Sequence, residues 1–317
     1  MTTESQKERS DGSGDLLEPA SDLPKTVSVV EVGPRDGLQR EPTPISTDDK
    51  VSLIEDLVSA GLKRIQVTSF VHPKYVPQMA DAEEVCRRIP KRSDVIYSGL
   101  ALNLKGVERA HTAGLAQVDI SVSASDSHSR RNANRSLEEA LAEFKEMYDR
   151  ARSHGLVVRG GIQCAFGYQK ADDVEPETVI ALARHHLDLG VDELALADSS
   201  GFANPSGMTS LLKQVVSLAG PTPIILHLHD TRGMGLANVL AALQCGVSAF
   251  DTAFGGLGGC PFIDGATGNI ATEDTVYMLE EMGIQTGVNL SRLSQISRQY
   301  EQKLGQALPG KVYQLLA

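Results

Sequence analysis

Leu189-Gly190-Val191-Asp192-Glu193-Leu194-Ala195-Leu196-Ala197-Asp198-Ser199 carries the chain from the end of a helix, through one glycine, along a β strand to a polar strand end. Glycine supplies the left-handed cap that stops the helix. The same punctuation recurs at Ala60-Gly61-Leu62, His154-Gly155-Leu156 and Cys245-Gly246-Val247. Working outward from these turns, short β-branched runs predict strands at 27–33, 64–70, 94–102, 117–125, 156–165, 193–199, 223–229 and 249–253. Helical periodicity is clearest at 48–60, 137–154, 177–189 and 207–218. Caps open these helices at Ser46, at Ser136 with Glu139 three residues on, and at Pro205-Ser206. Eight βα units in a chain of this size predict an α/β fold, a closed (β/α)8 TIM barrel, with an extra C-terminal helix at 290–304 packed outside it. No G-x-G-x-x-G follows the first strand, which weighs against an open dinucleotide-binding sheet.

The barrel accounts for residues 26–317 as one domain. Residues 1–25, rich in Ser, Asp, Glu and Gly, are expected to be a disordered acidic tail, because burial there cannot offset the entropy of ordering. Across 317 residues, 30 Lys and Arg face 41 Asp and Glu, a net charge of −11 that argues against nucleic acid as a partner. Four cysteines make no disulfide framework, and no apolar run approaches the ~18 residues of a membrane span. The tail has neither the apolar core of a secretory signal nor the acid-poor composition of a transit peptide. A cytoplasmic protein that engages no membrane is expected.

In a barrel of this kind chemistry sits where the strands end. In Ile224-Ile225-Leu226-His227-Leu228-His229-Asp230 the two-residue period places His227 and His229 on one face and the leucines on the other. Two imidazoles at one strand end suit a divalent metal; a hydrogen-bonded interior pair is the plainer alternative. The six other histidines, among them His154, His185 and His186, read as surface residues. The first strand ends in Gly33-Pro34-Arg35-Asp36-Gly37, where Asp36 can ligate a metal or act as a base and Arg35 can hold an oxyanion, unless the two only brace a turn. Glu31, inside the strand, is expected to have a structural partner. After the eighth strand, Gly255-Gly256-Leu257-Gly258-Gly259-Cys260 reads as a lid with a proton-transferring cysteine, and Asn269 offers an amide oxygen to a hard cation. Cys86, Cys164 and Cys245 read as packing residues.

At these residues the chain resembles the 3-hydroxy-3-methylglutaryl-CoA lyase family of metal-dependent barrel lyases, related to the isopropylmalate and homocitrate synthases. The resemblance runs from about residue 27 to 290. It rests on Gly33-Pro34-Arg35-Asp36-Gly37-Leu38-Gln39, Thr68-Ser69-Phe70-Val71, Val76-Pro77-Gln78-Met79, Asn103-Leu104-Lys105-Gly106, His227-Leu228-His229-Asp230-Thr231, the Gly255–Pro261 loop and Gly268-Asn269. It implies a divalent cation, Mg²⁺ or Mn²⁺, on Asp36, His227, His229 and Asn269. It also implies Arg35 as enolate stabiliser, Cys260 on the lid, a CoA thioester substrate and a homo-oligomer. Asp36 or His227 would take the substrate hydroxyl proton, and His227 or Cys260 would protonate the acetyl-thioester enolate.

Several strand ends depart from the family pattern. Gln66 stands where the family has Glu, Asp198-Ser199 where Asp-Thr is usual, Arg232 where Tyr is usual, and Tyr168-Gln169 where Cys-Pro often follows the fifth strand. With the ligand set complete and the wall altered, the expected activity is cleavage of a 3-hydroxy acid CoA thioester to acetyl-CoA and an oxo acid. A lyase specialised for citramalyl-CoA and a non-catalytic acyl-CoA-binding relative are the alternatives. Asn103 and Lys105, with Arg130, Arg131 and Arg135, are the candidates for meeting CoA.

Overall fold

The computed structural model describes residues 23–171, 173–259 and 268–316. Eight parallel strands close into a barrel in chain order: β1 (Ser28–Glu31), β2 (Arg64–Ser69), β3 (Ile96–Ala101), β4 (Gln117–Ser123), β5 (Val157–Gln163), β6 (Glu193–Asp198), β7 (Ile224–Leu228) and β8 (Ala249–Thr252). All eight fall inside the expected spans. The connecting helices are α1 (Thr47–Ser59), α2 (Ala82–Arg88), α3 (Leu104–Thr112), α4 (Asp126–Ala133), α5 (Leu137–Ser153), α6 (Pro176–Leu189), α7 (Pro205–Ala219), α8 (Gly235–Gln244) and α9 (Thr272–Glu281). Helix α10 (Leu290–Leu304) packs outside on α1 and α9, with the Tyr300 hydroxyl donating to the Asp49 carbonyl at 2.9 Å.

Local chemistry explains the boundaries. Ser46 caps α1 by accepting from the Asp49 amide, and Ser136 with Glu139 forms a complete capping box on α5. The start of α7 differs from expectation: the cap is Asn204, whose Oδ1 accepts from the Gly207 amide, and Pro205 opens the helix, where its missing N–H costs nothing. Gly190 ends α6 with φ 88°, the left-handed geometry the Leu-Gly-Val turn requires. Helix α4, between β4 and α5, has no apolar periodicity to announce it and was not expected.

The outward faces of the strands form the main core. Val118, Ile120, Val158, Ile162, Leu194, Leu196, Leu226 and Leu228 are fully buried against the helices. His186 belongs to this core and is a correction to the surface reading. It is buried, stacks on Phe144 with centroids 3.9 Å apart, and its pKa is pushed down to about 3 by burial. His128 is also buried, whereas His154 is half-buried beside Glu108. Cys86 and Cys164 are buried, as packing residues should be.

The inward faces are different. Barrel interiors are usually filled by branched apolar side chains, but here Arg64 pairs with Glu193 (2.6 Å) and Arg159 with Asp251 (2.5 Å), with Gln66, Gln117 and Asp119 between them. Apolar filling includes two small clusters, Val30 with Val32 and Ala253, and Ala195 with Ile225 and Ala249.

The expected tail ends earlier than residue 25. Leu23 packs on the core and the Lys25 carbonyl accepts from the Gln285 amide at 3.0 Å; residues 1–22 lie outside the described residues. Among the described residues, no helix is long and apolar enough to cross a membrane.

Candidate active site

A cavity of about 720 Å³ opens at the C-terminal mouth of the barrel, and its floor is polar. The chain leaves β1 in one wide π-helical turn, Gly33–Gly37, in which the amides of Arg35, Asp36 and Gly37 all point at the Val32 carbonyl. That turn brings Arg35 and Asp36, adjacent in sequence, to face the same cavity as a direct ion pair. Glu31 holds the turn from beneath as a structural acceptor. Its carboxylate takes the Gly33 amide (2.7 Å), the Phe254 amide (3.0 Å) and the Thr272 hydroxyl (2.7 Å). Burial nonetheless pushes its pKa up to about 8. A side chain at Gly33 would strike Phe254 and Glu31, so the turn requires glycine there.

Opposite, β7 delivers His227, with His229 just past its end; their Nε2 atoms lie 3.1 Å apart. Asp36 Oδ2 stands 3.9 Å from His227 Nε2 and 3.8 Å from His229 Nε2. Asn269 completes the cluster by donating from Nδ2 to Asp36 Oδ2 at 2.8 Å, and its Oδ1 is buried with no partner among the described residues. Gly258, at φ 125°, backs onto this amide so closely that a Cβ would sit 2.6 Å from Asn269 Nδ2.

The electrostatics favour an anion at Asp36 beside a neutral imidazole at His229. Burial alone would raise the Asp36 pKa, but Arg35 and the two histidines outweigh it and hold the carboxyl at about 2. Burial, aided by His227, pushes His229 down to about 4. His227 Nδ1 lies 3.1 Å from Asp251 Oδ2. Against the cost of burial, the Arg159 guanidinium and His227 hold Asp251 far below the usual carboxylate range, so it can only accept. The hydrogen-bond network therefore assigns the ring proton to Nδ1 and turns the Nε2 lone pair to the cavity. One carboxylate oxygen and two ring nitrogens within 4.8 Å of one another fit a divalent cation, and the Asn269 amide that donates to Asp36 also carries a buried oxygen with no partner among the described residues.

The other wall residues divide. Gln66 lines the floor, because a register shift between Gln66 and Thr68 on β2 bends the strand there. Its Oε1 accepts from Arg35 Nε and its Nε2 donates to Asp119. Ser199 and Asn103 line the cavity; Asn103 also caps α3 through the Gly106 amide. Asp198, Arg232 and Lys105 do not line it. Asp198 is fully buried, accepts from the Phe202 and Ala203 amides, and has its pKa pushed up to about 6 by burial. Arg232 is tied to the Ser200 and Gly201 carbonyls and lies over the Phe202 ring at 3.8 Å. Lys105 is exposed. Arg131 and Arg135 face the cavity from α4 and the turn after it, while Arg130 pairs with Asp126 outside. Cys260 lies outside the described residues.

Three site residues escaped the reading of the sequence: Asp119, Arg159 and Asp251. Their signal was a charge in the middle of a β-branched strand, as in Val118-Asp119-Ile120, Val158-Arg159-Gly160 and Phe250-Asp251-Thr252. Their alternation with buried apolar neighbours points each of them inward.

The HMGL-like family model matches residues 26–299 of the chain. Hydroxymethylglutaryl-CoA lyase YngG of Bacillus subtilis is 42% identical over 292 residues, covering 92% of this chain and 98% of that protein. The mitochondrial hydroxymethylglutaryl-CoA lyase of Homo sapiens is 44% identical over 292 residues, with 92% and 90% covered. The solved structure of an HMG-CoA lyase from Acinetobacter baumannii in complex with coenzyme A and 3-methylmalate superposes with a TM-score of 0.88 at 41% identity, covering 92% of this chain and 95% of that one.

Proposed function

The chain belongs to the HMGL-like family, and on that premise we propose that it is a carbon–carbon lyase that cleaves 3-hydroxy-3-methylglutaryl-CoA to acetyl-CoA and acetoacetate. The observation that carries this reading is the cluster of Asp36, His227 and His229 on the floor of the cavity, with Arg35 beside them and Asn269 donating to Asp36. The names of the relatives favour this substrate over citramalyl-CoA, and the intact donor set favours an enzyme over a non-catalytic relative.

Asp36, His229 and Asn269, with His227 at rest, would hold a divalent cation, Mg²⁺ or Mn²⁺. Bound there, the cation supplies Lewis acidity that makes a coordinated hydroxyl easier to deprotonate. His227 is the better base of the two candidates. Asp36, held at about 2, has little affinity for a proton at neutral pH, whereas His227 presents an Nε2 lone pair fixed by Asp251. The proton of the 3-hydroxyl moves to His227 Nε2. The C2–C3 bond then breaks, leaving the ketone of acetoacetate and the enolate of the acetyl thioester. Arg35 faces the cavity beside this position and neutralises the developing enolate oxygen. Return of a proton to the enolate carbon, from His227 or from Cys260 of the glycine-rich loop, releases acetyl-CoA. Arg131, Arg135 and Asn103 at the cavity wall are the groups placed to meet the CoA moiety. The same reading carries a cytoplasmic location and a homo-oligomeric state.

The test is incubation of the purified protein with Mg²⁺ or Mn²⁺ and 3-hydroxy-3-methylglutaryl-CoA, with acetyl-CoA and acetoacetate followed by mass spectrometry. Citramalyl-CoA enantiomers are included as competitors. Equimolar release of the two products supports the proposal. Release only from citramalyl-CoA, or from no thioester, overturns it.

A further inference from the structure

Gln66 lies between two charged side chains of the cavity floor, and its amide is held at both ends. Oε1 accepts from Arg35 Nε, and Nε2 donates to Asp119 Oδ2. The amide could not sit the other way round. Arg35 Nε–H only donates and an ionised carboxylate only accepts, so the carbonyl must face Arg35 and the amino group must face Asp119. Asp119 is itself fixed by two further donors, the Ser98 hydroxyl at 2.8 Å and the Gln117 amide at 3.2 Å. Gln66 and Asp119 are 2% and 5% exposed, so neither can exchange these bonds for bulk water. A buried polar atom left without its partner costs on the order of 1–3 kcal/mol.

From this arrangement we infer that Asp119 is a positioning residue for the lyase reaction, acting through the Gln66 amide to hold Arg35 where the enolate oxygen develops. The inference rests on the proposed lyase reading. Position 66 and position 119 share one negative charge between them, carried by 119. Gln66 is neutral, so the Arg35 guanidinium has Asp36 as its one direct carboxylate partner among the described residues and keeps its cationic character for the substrate. A carboxylate at 66 would still accept from Arg35, but it would lie against the Asp119 carboxylate with no donor between them. An amide at 119 could donate or accept, and would no longer dictate which end of Gln66 faces Arg35.

The test is a double-mutant cycle on Gln66→Glu and Asp119→Asn, read as kcat and KM for acetyl-CoA release and as the urea midpoint of each variant. Each single variant is expected to lose roughly 10–100-fold in kcat, the usual effect of removing a partner that orients a functional group. KM should stay near the parent value, because Arg35 acts on charge that develops only in the transition state. The double variant Gln66→Glu/Asp119→Asn restores one carboxylate and one amide in exchanged places. The amide now at position 119 then donates to the carboxylate now at position 66, that carboxylate accepts from Arg35, and most of the lost kcat should return. Phe144→Ala, on the outward face of the barrel, is expected to lower the urea midpoint while leaving kcat at the parent value.

Losses that multiply in the double variant, or a kcat that follows the urea midpoint through all four variants, would overturn the inference by making Asp119 a purely structural acid. A parent protein that releases no acetyl-CoA from 3-hydroxy-3-methylglutaryl-CoA would overturn the lyase reading and this role with it. An active parent without rescue overturns this role alone.

Discussion

On their outward faces the eight strands offer Val118, Ile120, Val158, Ile162, Leu226 and Leu228 to the helices, all fully buried. One residue along, on the inward faces, the same strands carry Asp119, Arg159, His227 and Asp251, which are almost as buried. The outward face is held by non-directional burial and tolerates rearrangement at a cost in stability. The inward face is held by hydrogen bonds and ion pairs in which each partner fixes the orientation of the next, from Arg159 to Asp251 to His227. Stability and chemistry are thereby assigned to opposite sides of one sheet, and substitutions on the two sides should fail differently.

The sharpest break in that comparison is Asp36→Ala, which removes the carboxylate from the cluster proposed to hold the cation while leaving the core untouched. Activity should fall by roughly a thousandfold or more, the scale of a lost Lewis acid. Mn²⁺ binding, read by electron paramagnetic resonance, should weaken in parallel. Retained Mn²⁺ affinity would place the metal elsewhere. Next in size is Asp251→Asn. The amide can offer its NH₂ to His227 Nδ1, which would move the ring proton to Nε2 and remove the lone pair from the cavity. A loss of about 10–100-fold in kcat is expected, as for other partners that orient a functional histidine. An unchanged kcat would show that Asp251 serves Arg159 and not His227. On the outward face, Phe144→Ala should cost about 3–5 kcal/mol of stability through the cavity it leaves beside His186. Urea unfolding measures that loss, and kcat per folded molecule should not move.

The same division explains what was legible in the sequence. The outward face announces itself, since strand runs and Gly-punctuated turns place all eight strands and the external helix from local pattern alone. The cluster of Asp36, His227 and His229 was legible too, because His227-Leu228-His229 and Gly33-Pro34-Arg35-Asp36 are short motifs at strand ends. The supporting network was not. Asp251 reaches His227 across 24 positions and Asp119 reaches Gln66 across 53, and only closure of the barrel brings them together. His186 misled for the converse reason. Its imidazole looks polar in sequence but packs as an aromatic ring on Phe144, with its Nε2 3.3 Å from the Gly161 carbonyl. Asp198 and Arg232, singled out because they depart from the family pattern or flank it, turn out to brace the loop after β6.

The smallest expected effect is one of pH, and it probes the junction between the two faces, where Glu31 and Glu273 hold the turns after β1 and β8. Burial raises Glu31 from 4.5 to about 8 and Glu273 from 4.5 to about 7, so each is more readily protonated in the folded chain than in the unfolded one. Their contribution to stability is complete below 4.5 and is lost as pH rises through 8 and 7 respectively. The buried histidines have the opposite sign. His128 and His229, pushed down to about 4, and His186, pushed down to about 3, all from 6.5, add stability as pH rises to about 6.5 and little beyond it. Asp198, raised to about 6, has likewise finished its loss by pH 7. Between pH 7 and 8 the slope therefore belongs mainly to Glu31, at no more than about 1.4 kcal/mol per pH unit for one proton. Urea midpoints should fall across that interval in the parent protein, and Glu31→Gln should flatten the fall while leaving the interval below pH 6.5 governed by the histidines. A parent midpoint that holds level or rises from pH 7 to 8 would mean that the three donors around Glu31 keep it ionised against the cost of burial.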